Sequence, residues 1–452
     1  MSASRKIAEF AAGVSATDLT PSLLNACGRA FLDTYAVALA GRNEEASQLA
    51  VKYIRAGETS SPRFSASLWG CRDQAPLELA ALCNGVSAHV LDYDDVTSPM
   101  RGHPSVALLP ALVALGESLN ANGSDLARAY LVGFEVICKL SRAMAVKHYA
   151  KGWHSTSAIG TVACAVACAT MMRLDVEQII HAIGLAVAQT AGTQANFGTH
   201  AKSFQAGHCN ASGLRAVLLA REGFCASEGA LDGQFGYMDL YAHGESLQEH
   251  LDALGNAPFE LEQSGIEVKK YPLCYATHRA LDGLLDLRAE HQLSLDQVRE
   301  VHIRTSAGAL TPLIHHRPVT GLEGKFSLEY AVAAALADGH IGLASFTDEA
   351  VKRPAVQAFF PKVFGSEASD TVVFPRWTEI CIELHDNSTL FRRVGVLRGS
   401  AQAPLSEQAL RVKVADCLAW SQSPLQAARL CDMALDLGHT TVRSLLAAPH
   451  HP

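Results

Sequence analysis

The chain has 452 residues and a formal net charge of −8 at pH 7; hydrophobic residues make up 49% of it and charged residues 18%. This composition indicates an ordered globular protein with a large core. Binding to a nucleic-acid backbone is disfavoured, because the lysine and arginine that would neutralise phosphates are not concentrated anywhere in the chain. If the ligand is an anion, the attraction must therefore be local.

Residues 1–16 mix charged and apolar side chains and lack the apolar stretch of a signal peptide, and no segment reads as a membrane span. The twelve cysteines contain no C-x-x-C pair. Cys164 and Cys168 fall on one face of an uncharged, helix-patterned run, where they would act as small apolar core residues. These features predict a reduced, cytoplasmic protein.

A helical period of apolar residues dominates the chain from Leu19 to about Arg221. Short Gly, Asn and Ser stretches separate the predicted helices. Many of these helices are rich in alanine and poor in charge, so we expect them to be buried on several sides in a multi-layer helical domain. The principal predicted helices cover residues 75–91, 104–119, 125–146, 155–172, 176–189 and 211–222.

The pattern changes near Glu262. Three runs, 298–305, 379–384 and 391–397, have the Val/Ile content or the alternation of strands, and they predict an antiparallel meander with helices from Thr277 and Leu328 packed on it. The helical period returns after about Ser400. We therefore expect a mostly α fold: a large all-helical domain of residues 1–261 and 400–452, and an inserted α+β lid domain of residues 262–399 with hinges near Glu262 and Ser400.

Three histidines stand at predicted helix starts: His103 before Pro104, His154 after Trp153, and His278. The first turn of a helix has unpaired backbone N–H groups and the positive end of the helix dipole, which attract carboxylates and favour neutral imidazoles. A histidine at a helix start can also serve only as a cap or a packing residue. If the three starts face one cleft, they predict an acid–base site for a small polyanion.

A cluster of polar residues, 89–95, lies in apolar surroundings just ahead of His103. Asp92 lies one helical turn after His89 on the apolar side, so we expect it to hydrogen-bond a histidine or a backbone amide. Asp94 and Asp95 are interpreted as a solvated helix end. A metal site is the alternative interpretation, although the spacing of its ligands matches no known closed motif; its ligands would be His89, Asp92, Asp95 and His103.

Two lysines and a tyrosine complete the set of candidates. Lys202 is assigned to a loop of small residues that leads into the helix predicted from Ala211. Lys270 precedes a Tyr-Pro step that favours extended backbone. Ammonium groups near helix-start histidines would stabilise several carboxylates. Tyr330 lies on an apolar helix, where core packing is the simpler role unless a partner is found.

The sequence contains no P-loop, nucleophile elbow or dinucleotide-binding glycine motif, so no nucleotide or flavin cofactor is expected. Taken together, its polar motifs resemble those of the MmgE/PrpD superfamily, which includes 2-methylcitrate dehydratase, cis-aconitate decarboxylase and iminodisuccinate epimerase. The resemblance spans nearly the whole chain. It is carried by residues 89–95, 102–105, 151–156, Lys202, 270–272, 277–278 and 325–330.

The resemblance implies a helical domain with an inserted α+β lid, a homodimer, and an active site between the domains. The superfamily's decarboxylases use residues that match six positions here: Asp92, His103, His154, Lys202, Lys270 and Tyr330. One position departs from the decarboxylase pattern. After the Asp-Tyr-Asp-Asp run those members carry Thr, whereas this chain has Val96, with Thr97 one place later and an apparent extra residue before His103.

The superfamily reactions share removal of a weakly acidic proton beside a carboxylate, which requires a positioned base and cations for the developing charge. We therefore expect a cofactor-independent and metal-free lyase of the 2-methylcitrate dehydratase type, acting on a di- or tricarboxylate. The expected catalytic residues are His103, His154, Asp92 and Lys202, and the expected substrate-binding residues are Lys270, His278 and Tyr330.

Three alternatives remain open at this point. An epimerase of a dicarboxylate such as iminodisuccinate would use the same two histidines as its two bases. A metal-dependent hydrolase would use the cluster around His89. A non-catalytic helical scaffold would use neither. No nucleic-acid or membrane partner is expected.

Overall fold

The computed structural model describes residues 1–55, 65–242, 246–369 and 375–447. The chain forms two compact units, the first made of Met1–Glu267 and Glu407–Pro452 and the second of Val268–Ser406. The predicted helical domain also includes residues 56–64, 243–245 and 448–452, and the predicted lid includes residues 370–374; these lie outside the described residues.

The first part of unit 1 is almost entirely helical, with one short antiparallel pair of strands, β1 (Ser65–Ser67) and β2 (Gln74–Pro76). Its helices in chain order are α1 (Ala3–Gly13), α2 (Pro21–Gly41), α3 (Glu45–Arg55), α4 (Leu77–His89), α5 (Pro104–Leu119), α6 (Gly123–Ala150), α7 (Ser155–Met171), α8 (Val176–Val187), α9 (His200–Arg221), α10 (Tyr237–Tyr241), α11 (Gln248–Leu251) and α12 (Glu260–Gln263).

Small residues allow the central helices of unit 1 to pack closely. Every residue of α7 is buried, and most of them are Ala, Ser, Thr, Cys or Gly. Helices α4 and α9 approach backbone to backbone, since a Cβ atom placed on Gly85 would lie 2.7 Å from the Cα atom of Gly207. The residues just after α4 are thereby held beside the first turn of α9.

Unit 2 is built on a four-stranded sheet in the order β4-β3-β5-β6. The strands are β3 (Val298–Thr305), β4 (Val363–Glu367), β5 (Thr378–Leu384) and β6 (Thr389–Val394). Its helices are α13 (His278–His291), α14 (Gly321–Gly324), α15 (Leu328–Asp338), α16 (Asp348–Val351) and α17 (Pro354–Phe359). Apolar residues of α13 and α15 form one core cluster with the buried side chains of β3 and β5.

The chain returns to unit 1 through α18 (Glu407–Trp420), α19 (Ala427–Leu435) and α20 (Val442–Leu446). Helices α18 and α19 both pack on α2, and α18 carries a buried lysine, Lys413. Within the described ranges, no helix combines the length and the apolar character needed to cross a bilayer. All twelve cysteines are described, and each is a free thiol.

The prediction of a mostly α fold is confirmed, and two predicted details are wrong. The sheet is not a simple antiparallel meander, because β4 was not anticipated and pairs in parallel with β3. The helix expected from Ala211 begins eleven residues earlier, at His200. The Thr199 side chain accepts a hydrogen bond from the Ala201 N–H at this start, and the buried small residues that follow give no amphipathic signal.

Candidate active site

All three histidines predicted at helix starts occupy that place. His103 is the N-cap of α5, His154 is the N-cap of α7, and His278 is the first residue of α13. Neither His103 nor His154 caps its helix with its side chain. Their imidazoles therefore point elsewhere, and a capping role does not explain them.

The loop after α4 brings carboxylates to these imidazoles. Helix α4 ends at His89, and Asp92 adopts a left-handed conformation with φ of 52°. The helix predicted over 75–91 therefore ends two residues earlier than expected, and Asp92 lies beyond it. The interpretation of Asp94 and Asp95 as a solvated helix end is also wrong, because both residues are fully buried. The chain turns inward after His89, and non-local polar partners compensate the burial of the two side chains.

Asp94 contacts two imidazoles with one carboxylate oxygen. Its Oδ2 atom lies 2.8 Å from Nδ1 of His89 and 3.1 Å from Nδ1 of His103. Burial by itself raises the pKa of Asp94, but the charges and hydrogen bonds of His103 and His89 outweigh it and hold that pKa well below its usual value. An ionised Asp94 therefore accepts a hydrogen bond from Nδ1 of His89 and lies at ion-pair distance from Nδ1 of His103, which favours a proton on each Nδ1 atom.

His89 lies at the centre of the imidazole cluster. Its ring centroid is 4.6 Å from that of His103 and 5.7 Å from that of His154. Burial lowers the pKa of His89 from 6.5 to about 4, and Lys202 acts in the same direction, although Asp94 opposes them. His89 is thus neutral at pH 7. Its buried Nε2 atom has no hydrogen-bond partner among the described residues.

A glutamine fixes the tautomer of His154. The Gln205 side-chain amide donates from Nε2 to the carbonyl oxygen of Thr193 at 3.1 Å, which turns its Oε1 atom toward Nδ1 of His154 at 2.7 Å. Because that oxygen is an acceptor, Nδ1 carries the proton and Nε2 holds the lone pair. Burial, with the nearby charges of His89 and Lys202, lowers the pKa of His154 well below its usual value. His154 has the protonation state of a general base.

The cation of the cluster comes from the first turn of α9. Lys202 donates to Oδ1 of Asp92, and the same oxygen lies 3.7 Å from Nε2 of His103. The Lys202 Nζ atom is also 5.5 Å from the centroid of the Phe197 ring. The expected partner of Asp92 was a histidine or an amide, and the structure adds a lysine. His103 therefore lies between two carboxylates, one of which binds an ammonium group.

Asp95 anchors the start of α5 behind the imidazoles. It accepts from the backbone N–H of Ser105 at 3.2 Å and from the Ser105 hydroxyl, which in turn lies 2.7 Å from the Tyr130 hydroxyl. Burial raises the pKa of Asp95 well above its usual value. Further along, the chain between Thr97 and Gly102 forms a turn closed by a 3.1 Å backbone hydrogen bond from Thr97 N–H to Gly102 C=O.

The metal-ligand set inferred from the sequence does not assemble as expected, since Asp95 is engaged with Ser105. Among the described residues, the ligand atoms of a different set, His89, Asp94 and His103, lie within 4.8 Å of one another. This set could hold a metal only by giving up the Nδ1 protons that Asp94 now binds. A second, half-exposed group on the sheet of unit 2 consists of Glu300, His302 and Glu383.

The other three predicted site residues belong to unit 2. The Nζ atom of Lys270 lies 3.7 Å from Asp282 Oδ1 and 5.0 Å from the centroid of the Tyr271 ring, and burial lowers the pKa of Lys270. His278 is buried, with Nε2 3.2 Å from the carbonyl oxygen of Leu273.

Tyr330 is fully buried in the core cluster of unit 2, and its hydroxyl donates to the Ser345 carbonyl. Burial raises the pKa of Tyr330 to about 12. Its position is that of a core residue with a satisfied hydroxyl. Substrate binding by Lys270, His278 and Tyr330 stays a prediction.

Of the sequence candidates, the structure brings together His103, His154, Asp92 and Lys202 in unit 1. From the sequence, His89 was a candidate only as a ligand of the alternative metal site, and Asp94 and Gln205 were not candidates. A buried His at the end of a helix followed five residues later by Asp was the only local signal for the first two. Gln205 follows Lys202 by three residues on α9, and nothing in the sequence links it to His154.

Comparison with known proteins agrees with the resemblance inferred from the motifs. The chain matches the MmgE/PrpD N-terminal domain over residues 5–250 and the MmgE/PrpD C-terminal domain over residues 271–437. It is 29% identical to a cis-aconitate decarboxylase of Mus musculus, over 89% of this chain and 83% of the relative. It is 28% identical to the Homo sapiens cis-aconitate decarboxylase, over 89% and 84%. Its identity to the Aspergillus terreus cis-aconitate decarboxylase is 25%, over 81% and 78%. With both family domains matched along most of its length, the chain belongs to the MmgE/PrpD family.

Proposed function

We propose that this protein is a lyase that acts on a small polycarboxylate by proton transfer at a carbon next to a carboxylate. The observation that carries the proposal is the environment of His103, whose Nδ1 atom lies 3.1 Å from Asp94 and whose Nε2 atom lies 3.7 Å from Asp92, the partner of Lys202. A buried imidazole between two carboxylates can relay a proton, and the adjacent ammonium can neutralise developing negative charge.

The roles follow from the contacts. His154, with its lone pair on Nε2, is the proposed general base, and His103 is the proposed acid. Lys202 would bind a substrate carboxylate, while Asp92 orients Lys202 and His103. The two neutral rings, His89 and His154, add no positive charge, so within this cluster Lys202 is the proposed source of attraction for an anionic substrate.

The reaction class is chosen from the relatives. Because three relatives of this chain are cis-aconitate decarboxylases, we propose loss of CO2 from an unsaturated tricarboxylate as the first reaction to test. In such a step the carbon–carboxylate bond breaks, its electrons move into the carbon framework, and an acid supplies a proton to carbon. Dehydration of a 2-methylcitrate-like substrate requires the same proton-transfer groups and is the second reaction to test.

Proton NMR in deuterium oxide tests the proposal directly. The protein would be incubated separately with cis-aconitate, citrate, 2-methylcitrate and iminodisuccinate, and a Lys202→Met variant would be the control. We expect a new alkene product with deuterium incorporated at carbon, formed by the parent protein and lost in the variant. Deuteration with inversion and no alkene would instead identify an epimerase. No turnover of any of the four would contradict the proposal.

The metal-dependent alternative is tested by the same assay. The proposal requires no bound metal, so activity should persist after treatment with a chelator and dialysis. Stoichiometric bound metal, together with activity that disappears on chelation and returns with the metal, would favour the hydrolase alternative at His89, Asp94 and His103. We also propose, from the family resemblance and the cysteine content, that the protein is a cytoplasmic homodimer.

The substrate-binding assignment of unit 2 gives a separate prediction. Lys270→Met should raise KM for the polycarboxylate more than it lowers kcat, because it removes a cation that binds a non-reacting carboxylate. Tyr330→Phe should leave both parameters nearly unchanged if the hydroxyl serves only the Ser345 carbonyl. Steady-state kinetics on folded protein distinguishes the two, and a large loss of kcat in Tyr330→Phe would restore its predicted role at the site.

A further inference from the structure

The loop of residues 92–95 is anchored on three sides. Two anchors belong to the candidate site: Lys202 of α9 binds Asp92, and Ser105 of α5 binds Asp95. The third anchor is Lys413 of α18, more than three hundred residues away in sequence and 4% exposed. Lys413 is not one of the proposed acid–base groups, so the proposed function assigns no role to it.

Lys413 contacts Asp33 and both the carbonyl and the ring of Tyr93. Its Nζ atom donates to the carbonyl oxygen of Tyr93 at 2.9 Å, lies 2.5 Å from Oδ1 of Asp33, and lies 3.9 Å from the centroid of the Tyr93 ring. Asp33 is a fully buried residue of α2. The ammonium group thus binds both the backbone and the ring of Tyr93, while Asp33 balances its charge.

The contacts of Lys413 matter for the site because Tyr93 lies between two of its carboxylates. Tyr93 stands between Asp92, which contacts Lys202 and His103, and Asp94, which contacts His89 and His103. Asp92 has a φ of 52°, a conformation that non-glycine residues adopt at a cost and that surrounding contacts must hold. A shift of the Tyr93 backbone would displace the two carboxylates on either side of His103 together.

We propose that Lys413 is a positioning residue of the active site, which fixes the Tyr93 backbone so that Asp92 and Asp94 engage His103. This inference rests on the proposed function for its catalytic consequence. The ion pair with Asp33 supplies the stability, and the bond to the Tyr93 carbonyl supplies the position. These two roles can be separated by mutation, because replacing both charged groups removes the buried charge of Asp33 without restoring the bond to Tyr93.

Three variants separate the stabilising role of Lys413 from its positioning role. Lys413→Met removes the ammonium group beside the buried Asp33 carboxylate, whereas the double variant Asp33→Asn/Lys413→Met removes both charges. Lys139→Met is the matched control: Lys139 is 6% exposed and pairs with Glu135 and Glu260 in the same unit but contacts no residue of the site. Each variant would be measured for Tm, for kcat per folded protein, and for the NMR titration of its histidine Cε1–H resonances.

We expect Lys413→Met to lower both Tm and kcat, with kcat falling by about 100-fold as for a misplaced catalytic group. The double variant should regain most of the Tm but not the kcat, and the His89 and His103 titrations should be altered in both variants. Lys139→Met should lower Tm with normal kcat and normal titrations.

Recovery of kcat along with Tm in the double variant would overturn the proposal, as would titrations of His89 and His103 identical to those of the parent protein. The titrations need no substrate. If the parent protein turned over none of the polycarboxylates, the proposed function would fail while the titrations still decided the role of Lys413.

Discussion

At the residue scale, the side-chain amide of Gln205 gives His154 a different hydrogen-bond partner from that of the neighbouring His89. His89 and His154 are both buried and both neutral at pH 7, but a carboxylate holds the Nδ1 proton of the first and a neutral amide holds that of the second. An amide orients a ring without adding negative charge that would raise its pKa. Gln205 therefore keeps His154 available as an unprotonated base.

Substitution of Gln205 tests this directly. Gln205→Met removes the acceptor, so both tautomers of His154 become populated and kcat should fall about 10- to 100-fold with little change in KM. Gln205→Glu keeps an acceptor but adds charge, so the acidic limb of the kcat profile should move to higher pH. Unchanged pH profiles in Gln205→Glu would show that His154 is not the titrating base.

The lowered pKa of His89 predicts a pH dependence of stability. The unfolded imidazole binds a proton near pH 6.5 and the folded one only near pH 4, so the unfolded state holds more protons between these values. Stability should therefore be lost as the pH falls from about 6.5 to about 4, by about 3 kcal/mol from His89. Asp94, with its lowered pKa, adds a loss only at still lower pH.

Denaturant unfolding at a series of pH values measures this slope. His89→Gln should flatten the curve between pH 6.5 and 4, whereas His340→Gln, a change at an exposed histidine, should leave it as in the parent protein. Equal slopes in all three proteins would contradict neutral burial of His89.

At the scale of elements, the close contact of α4 and α9 positions the cluster. Lys202 reaches Asp92 because glycine allows these two helices to touch along their backbones. A Cβ atom on Gly207 would lie 2.3 Å from the carbonyl oxygen of Leu82, a contact with backbone that a side chain cannot relieve. Gly207 lies five residues from Lys202 on α9, so a shift of the helix at Gly207 would also move Lys202 relative to Asp92.

We expect Gly207→Ala to lower the free energy of unfolding by about 1–3 kcal/mol through overpacking, and to lower kcat of the protein that remains folded. Gly13→Ala is the control, because a Cβ atom there would meet nothing within 4 Å. Chemical denaturation and kinetics on the two variants make the comparison. Normal stability and activity in Gly207→Ala would show that the helices can separate without affecting the site.

The elements also show what a sequence can and cannot predict. The starts of α5 and α7 were predictable, because His103 and His154 directly precede helix-patterned apolar runs. The start of α9 was not, since its small buried residues carry no amphipathic stripe. The burial of Asp94 and Asp95 was missed for a different reason. Their partners come from the end of α4 and the start of α5, and no periodic pattern in the sequence records such contacts.

At the scale of the whole molecule, unit 1 obtains its stability from close-packed small residues and buried polar pairs, with every cysteine reduced. Nine of the twelve thiols are buried, and Cys71 and Cys225 are exposed. Burial raises the pKa of the buried Cys83 thiol to about 12, which suppresses its reactivity at neutral pH. The thiols therefore contribute packing and no covalent cross-links.

Thiol titration tests this description of the fold. In the native protein, Cys71 and Cys225 should react rapidly with a disulfide reagent and the half-buried Cys381 more slowly, while denaturation should release all twelve. A reducing agent should leave Tm unchanged. Fewer than twelve reactive thiols after unfolding without reductant would mean that a disulfide forms in solution.

The turn between Thr97 and Gly102 has a consequence for how this enzyme could diversify. Residues 92–95, which come shortly before the turn, are each bonded to a different neighbour, so an insertion among them would displace the proposed proton-transfer groups. The turn itself is closed by its own backbone hydrogen bond and is also held from outside, because the Thr97 hydroxyl donates to the Gly265 carbonyl and the Ser98 hydroxyl donates to Glu267. It follows Val96, where this chain departs from the decarboxylase pattern. A relative that lengthens or shortens this bend must therefore re-form the bonds to Gly265 and Glu267 as well as the backbone bond, so the length of the turn is coupled to the segment that ends unit 1 before the chain enters unit 2.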